Sequence, residues 1–329
     1  MIITPQVSIL VPIYNVSPFI AQCAHSLFHQ TFQDVEYIFV NDCTPDDSME
    51  KLAVLIEQYP HRKEQIKIIQ HSDNKGVGAT RSTLLDSACG KYFLFVDSDD
   101  YIELDMVELL YCKAEEVQAD ITVCDYFIEQ KNSKKVIIDA VSECMDENRC
   151  NIIVAEQSAA SLWNKLIKKE LYNRCCRLPE GLDYGEDRFI VVQLYFLTNK
   201  IVKVNKPLYH YVMDNVTSIT GQNRARKHFE NTFQCWDLLT DFFSEQGISE
   251  EYKNLLDLEK IKRKASLVIA TNSYSLRKEF ATMWHEEEVK YFSQLKRGKR
   301  IIIFLIRHKL FFLAHVYHYG VRLFSCLNN

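Results

Sequence analysis

The 329-residue chain has no Cys-x-x-Cys pair and no His/Cys spacing of the zinc-binding kind, although it carries 11 cysteines. An odd, scattered set of thiols argues against a disulfide framework and for a reducing, cytoplasmic compartment. No basic segment leading into an apolar core and a small-residue cleavage site opens the sequence, so no secretory signal is expected. The Asn15-Val16-Ser17 and Asn215-Val216-Thr217 triplets then read as chance matches to the N-glycosylation pattern. Low-complexity tracts and internal repeats are lacking as well. At 47% apolar and 25% charged residues, the chain can bury a substantial core and lies far from the disordered class. Residues 301–319 are the longest apolar stretch of the tail, but Arg307, His308 and Lys309 interrupt it, so it should not cross a membrane.

Charge is unevenly spread. The net charge is −5, yet from Lys296 onward there are seven Lys and Arg and no acidic residue, which leaves about −12 on residues 1–295. An acidic body excludes nonspecific nucleic-acid binding. On one helical projection Arg297, Arg300, Arg307, His308, His315, His318 and Arg322 share an arc, with Ile302, Leu305, Ile306, Phe312, Leu313 and Val316 elsewhere and Lys309 out of pattern. A basic amphipathic tail of this form is expected to meet an anionic membrane surface, peripheral at its inner face, or to pack on protein.

The first third alternates β-branched runs with helical stretches. Residues 7–13, 36–40, 66–69 and 92–96 read as buried strands, and 18–29, 47–58 and 77–87 as helices, so a parallel α/β sheet follows. A helix over about 105–119, a strand at 121–128, helices at 161–171 and 186–197 and extended runs at 201–204 and 208–212 come next. From residue 224 helical periodicity dominates. Ligands of parallel sheets bind beyond the carboxyl ends of the strands. Polar residues stand there every time: Tyr14 and Asn15, Asn41 and Asp42, 71–76, and 97–100.

Three clusters can carry chemistry. Asp97-Ser98-Asp99-Asp100 crowds three carboxylates after an apolar strand, a pattern that suits a hard divalent ion, Mn2+ or Mg2+, and equally suits an acidic helix N-cap. Asn74-Lys75-Gly76-Val77-Gly78-Ala79-Thr80-Arg81 is a glycine turn opening a helix, with N–H groups and two cations for an anionic ligand, or a merely solvated basic face. Gly185-Glu186-Asp187 places two acids at a helix start, where they complement the dipole or present a general base.

Together with Val7-Ser8-Ile9-Leu10-Val11-Pro12-Ile13-Tyr14-Asn15 and Phe39-Val40-Asn41-Asp42, these clusters resemble the inverting family 2 glycosyltransferases of GT-A fold, of the bacterial surface-polysaccharide type. The resemblance spans about residues 5–215, strongly to Asp105 and more loosely through Trp163-Asn164-Lys165 and Tyr209-His210-Tyr211. It implies a Rossmann-like, mainly parallel sheet flanked by helices in residues 1–220, with a nucleotide-sugar half (1–125) and an acceptor half (126–220), and a helical extension over 221–329. It also implies a UDP-sugar donor and a glycan or lipid-linked acceptor. Pro12 and Tyr14 would line the uracil site, Asp42 would accept from the imide N–H, and Arg81 would approach the base edge. Lys75 and Gly76 of the glycine turn would contact the donor. Asp97 would lie near ribose and metal beside Ser98, Asp99 would be the principal metal ligand, and Asp100 would contact the donor sugar. Trp163 and Lys165 would face the acceptor, and Asp187 would be the base, oriented by Glu186. Relatives carry an Arg soon after the Tyr-His-Tyr strand. Here Tyr211-Val212-Met213-Asp214 precedes Ser218, so that cation would be missing or supplied by Arg224 or Arg226. A non-catalytic nucleotide-sugar-binding subunit would keep the donor acids and lose the base. A sugar nucleotidyltransferase would need a glycine-rich basic loop after the first strand, and Val11-Pro12-Ile13-Tyr14-Asn15 has none.

Overall fold

Six of the seven residues of β1 (Val7–Ile13) are buried, as a strand flanked by strands and covered on both faces requires. It pairs in parallel with β2 (Val35–Asn41) on one side and β4 (Tyr92–Phe95) on the other, and β2 pairs in parallel with β3 (Ile66–Gln70). The computed structural model describes residues 4–131, 133–141, 159–175, 177–215, 226–247, 250–271 and 273–327, side chains at 251, 252 and 321–327 excepted. Helices α1 (Ile20–Phe28), α2 (Ser48–Gln58) and α3 (Val77–Ser87) connect the parallel strands. In α1 the residues Ile20, Cys23, Ala24, Leu27 and Phe28 recur at helical spacing and are all buried, so one stripe docks the helix on the sheet.

Beyond β4 the sheet becomes mixed. After β5 (Tyr101–Ile102) and α4 (Met106–Val117) come β6 (Ile121–Gln130) and β7 (Ser133–Ile137), a hairpin at the polar stretch that follows residue 128. Strand β8 (Lys165–Lys168) lies antiparallel between β4 and β6. It corrects the helix expected over 161–171, of which only α5 (Lys169–Tyr172) is helical. The apolar spacing of Leu162, Trp163, Leu166 and Ile167 fits a helix, but a central strand buries both of its faces and the sheet decides. After α6 (Glu186–Leu197), the two extended runs prove to be one strand, β9 (Ile201–Val212), which pairs in parallel with β6. Its register slips where Asp125 faces Pro207, a residue with no N–H to give the ladder. The order among the described residues is β3-β2-β1-β4-β8-β6-β9-β5, with β7 beside β6, so one sheet runs through both halves of this unit.

The chain divides into two compact units, Met1–Asn223 and Arg224–Asn329. The second is helical: α7 (Arg226–Glu245), α8 (Glu250–Ala270), α9 (Tyr274–Thr282), α10 (His285–Tyr291), α11 (Arg297–Arg307) and α12 (Phe311–Leu327). Its core gathers Phe229, Phe233, Ile261, Phe280, Ile303 and Ile306. The tail is not one helix. It breaks at residues 308–310, with Lys309 at φ 59°, so the single basic arc is corrected: the helical phase does not run from Arg297 through to His318. Ile302 and Ile306 are buried in the unit, whereas Phe312, Leu313 and Val316 are exposed, and the Arg322 side chain lies outside the described residues. No helix among the described residues is long and apolar enough to cross a membrane.

Candidate active site

The carboxyl ends of β1, β2 and β4 open on one edge, where the side chains of Tyr14, Asp42 and Asp97 to Asp100 gather. Tyr14 is 48% exposed and has a ring face to offer. The carbonyl of Pro12 accepts from Ser98 Oγ at 2.6 Å, so Ser98 ties the acidic turn to β1 and spends its hydroxyl proton there.

Asp42 is buried and largely engaged. Its Oδ1 accepts from the backbone N–H of Lys75 at 2.9 Å and lies 2.7 Å from His71 Nδ1, while Oδ2 accepts from Gly76 N–H at 2.9 Å. A carboxylate offers about four lone-pair sites, so about one remains for a ligand. The glycine turn is occupied in the same way. Gly76 sits at φ 89°, and a Cβ there would lie 2.3 Å from Asp183 Oδ1. At Gly78 it would lie 2.5 Å from the carbonyl oxygen of Leu182, and Gly78 N–H donates to Asp183 Oδ1 at 3.2 Å. The reading of these N–H groups as an anion cradle is therefore corrected: carboxylates of the chain itself fill them, and the glycines admit residues 182–183. The Lys75 side chain remains exposed at this edge.

In the acidic turn the carboxylates part ways. Asp100 faces inward, accepting from Val212 N–H at 2.8 Å and from Tyr209 O–H at 2.7 Å, while Tyr209 Oη accepts from Asp97 N–H at 3.1 Å. At 2% exposure Asp100 holds β9 against the turn, so its expected contact with a donor sugar is corrected. Asp99 Oδ2 accepts from Asn215 Nδ2 at 2.8 Å, and burial with the charge of Asp97 pushes its carboxyl up to about 6. The Asn215 hydrogen bond and the charge of Arg81 oppose that rise in part. No group of three metal-ligating side chains exists among the described residues. Asp97 and Asp99 still fit a hard ion that takes its other ligands from water and a diphosphate, the usual manner of Mg2+.

Opposite stands the start of α6, which follows a left-handed Gly185 at φ 89°. Asp187 Oδ2 accepts from Leu162 N–H at 3.3 Å, and its Oδ1 lies 3.0 Å from Arg81 Nη1. Arg81 is 4% exposed. It stands among acids, with Nη2 3.2 Å from Asp97 Oδ1 and Nε 3.4 Å from Glu186 Oε1. Burial opposes the charge on the guanidinium, but Asp187, Asp97 and Glu186 more than offset this and raise its pKa above the ordinary arginine value. Burial, then the charge of Asp187, pushes the Glu186 carboxyl up to about 8, and burial raises Asp187 too, opposed by Arg81.

Both residues expected at the acceptor are walled in. Trp163 is 7% exposed and stacks on Tyr209 at 4.3 Å and Tyr211 at 5.8 Å between ring centroids. Lys165 is fully buried, donating to the carbonyls of Ala159 and Ser161 and to Asn164 Oδ1 at 2.6–2.8 Å, so it fastens the turn before β8. Arg226 is paired with Glu230 and Glu279 in the helical unit, and Arg224 lies outside the described residues. Sequence reasoning missed Asp183 and Asn215, and placed His71 at its strand end without its partner Asp42. Asp183 had a signal, standing just before Gly185-Glu186-Asp187; Asn215 is brought in by the fold.

A family model described as Glycosyl transferase family 2 matches residues 8–155. EpsH of Bacillus subtilis (strain 168), named as a glycosyltransferase, is 30% identical over 261 residues, covering 77% of this chain and 74% of that protein. The crystal structure of S. aureus TarS 1–349 in complex with UDP-GlcNAc has a TM-score of 0.72 at 20% identity and covers 97% of this chain and 92% of that one. The mannosyltransferase PcManGT from Pyrobaculum calidifontis, in complex with GDP-Man and Mn2+, has a TM-score of 0.52 at 14% identity, covering 95% and 86%. At these identities the structural likeness carries the fold alone.

Proposed function

The chain belongs to glycosyl transferase family 2, and on that premise we propose that it moves a sugar from a UDP-sugar, with inversion and a divalent metal, to a glycan or lipid-linked acceptor in cell-surface polysaccharide synthesis. The observation that carries the reading is the convergence of the Asp97 and Asp187 carboxylates on one buried guanidinium, which joins a donor-side acid to a base at the same edge. Uridine is favoured by the exposed ring of Tyr14, by the remaining acceptor site on Asp42, and by the UDP and UDP-GlcNAc complexes of TarS. Asp97 and Asp99 would hold Mn2+ or Mg2+, which when bound offsets the charge on a departing diphosphate.

Asp187 acts on the acceptor. Its Oδ2 is held by Leu162 N–H, which fixes the carboxylate, and it takes the acceptor hydroxyl proton as that oxygen bonds to the anomeric carbon. The bond from that carbon to the diphosphate oxygen breaks on the opposite face, and the configuration inverts. In Asp187→Asn, stabilisation by UDP with Mn2+ should persist, about 2.7 kcal/mol at 100 times the dissociation constant, while transfer falls at least about 10²-fold. Near-normal turnover in that variant removes Asp187 from the role. No stabilisation of the wild type by UDP, GDP or dTDP removes the donor site.

An anionic bilayer as partner is supported by the outer faces of α11 and α12. Arg297, Arg300 and Phe304 are exposed on the first, and Phe312, Leu313, Val316 and Tyr319 on the second. Cations beside exposed apolar side chains suit the headgroup boundary, each cation adding about 1 kcal/mol. Phe312→Ser with Leu313→Ser should lower sedimentation with phosphatidylglycerol vesicles severalfold. Unchanged sedimentation would leave the reading without support.

A further inference from the structure

Arg81 is the point at which two parts of the site, distant in sequence, become one. Its three guanidinium nitrogens each face a different carboxylate: Nη2 faces Asp97 Oδ1, Nη1 faces Asp187 Oδ1, and Nε faces Glu186 Oε1. Asp97 belongs to the turn after β4 and the other two to the start of α6, so the arginine spans the donor side and the base. The Phe95 ring lies 5.1 Å beneath it and fixes the plane in which the fork can point. A second tie runs parallel to the first, because Gly78 N–H, three residues before Arg81 on α3, donates to Asp183 Oδ1. Residues i and i+3 share a helix face, so α3 presents one face to the segment that carries Asp187.

The contacts differ in kind. The Arg81–Asp97 contact at 3.2 Å is a directed hydrogen bond. Arg81 Nε and Nη1 and Asp187 Oδ1 are buried without one, although Nη1 and Oδ1 are 3.0 Å apart. The guanidinium thus attracts Asp187 without saturating it. Asp187 Oδ2 is bonded to Leu162 N–H, whereas Oδ1, attracted by charge without an aligned bond, keeps its lone pair for a proton.

We infer that Arg81 is a positioning residue for transfer, holding the base Asp187 at a fixed distance from the donor acid Asp97 through its buried guanidinium while touching neither sugar nor nucleobase. The inference rests on the reading of this site as a UDP-sugar transferase. It differs from the contact with the base edge that the family resemblance implies for this residue. A base-edge arginine governs how tightly the donor binds; a positioning arginine governs how fast bound donor reacts.

The test uses the full chain with Mn2+, measuring release of UDP from UDP-GlcNAc and UDP-glucose with water as the accepting hydroxyl, alongside thermal stabilisation by UDP. In Arg81→Gln, kcat should fall about 10²-fold while the donor KM and the UDP stabilisation stay within about threefold of wild type. Arg81→Lys, which keeps the charge and loses the fork, should recover part of kcat, to about tenfold below wild type. It also serves if the glutamine variant does not fold. A donor KM raised tenfold or more with kcat intact in the lysine variant would overturn the inference and return Arg81 to the nucleobase. Wild-type rates in both variants would overturn it as well. A wild type that releases no UDP from either donor would remove the proposed function, and the inference with it.

Discussion

Two buried charge clusters, one in each compact unit, are built in opposite ways. In the helical unit Glu288, 1% exposed, accepts from Lys264 Nζ at 2.5 Å and from Arg307 Nε at 2.9 Å, so each carboxylate oxygen has its own directed donor. In the α/β unit one guanidinium faces three carboxylates, and most of those contacts lack hydrogen-bond alignment. The first arrangement is complete and leaves nothing to react. The second carries excess negative charge and poorly aligned contacts, a state a protein tolerates where a cation or a proton is to arrive. Buried charge is therefore informative by its balance, more than by its presence.

The largest loss should come from unbalancing the complete cluster. Glu288→Gln leaves the buried Lys264 ammonium facing a neutral amide, and removing one partner of a buried pair costs about 3–5 kcal/mol. Chemical denaturation should show it as a lowered midpoint. A loss below about 1 kcal/mol would mean that water reaches Lys264, and the contrast between the units would weaken.

An intermediate loss separates the glycines of the two units. Gly76 and Gly247 both have positive φ, at 89° and 63°. An added Cβ at Gly247 meets nothing within 4 Å, whereas at Gly76 it meets Asp183 Oδ1 at 2.3 Å. Gly247→Ala should therefore cost about 1 kcal/mol, the left-handed penalty alone. Gly76→Ala adds a collision at the site and should cost about 2–4 kcal/mol. Equal losses in thermal unfolding would show that residues 182–183 move aside without penalty, and that the second tie to α3 is slack.

The parallel block could be read from the sequence because β1, β2 and β4 are largely apolar runs, and residues 7–13, 77–87 and 186–197 match β1, α3 and α6 at both ends; β3, expected to be buried over 66–69, is instead an edge strand with no buried residue. The acids at the strand ends could be read for the same reason, since topology alone puts them on one edge. What could not be read depends on neighbours far along the chain. Strand β8 looks helical by spacing and carries a lysine that no local rule would bury, until Ala159, Ser161 and Asn164 supply its oxygens. The break at Lys309 puts a non-glycine residue in the left-handed region, where sequence gives no warning. Arg81 meets Asp97 and Asp187 across separations of 16 and 106 residues, and no pattern in its own turn says which it will face.

The smallest loss should come from neutralising an acid in the unbalanced cluster, and there the sign depends on pH. Burial and Asp187 push the Glu186 carboxyl up to about 8, well above the value near 4.3 expected in an unfolded chain. Between those values the folded molecule keeps a proton that the unfolded chain has released. Through this group, wild-type stability falls as pH rises from about 4 to about 8 and then levels off. Glu186→Gln has no such proton and resembles the protonated side chain in shape. It should match the wild type within about 0.5 kcal/mol near pH 4 and become the more stable of the two as the pH climbs toward 8. Unfolding midpoints of both proteins across that range, without added metal, give the comparison directly. A glutamine variant less stable than wild type at pH 8 would mean that Arg81 balances Glu186 in full. The α/β unit would then bury its charge as the helical unit does, and the acids around Arg81 would be cement instead of machinery.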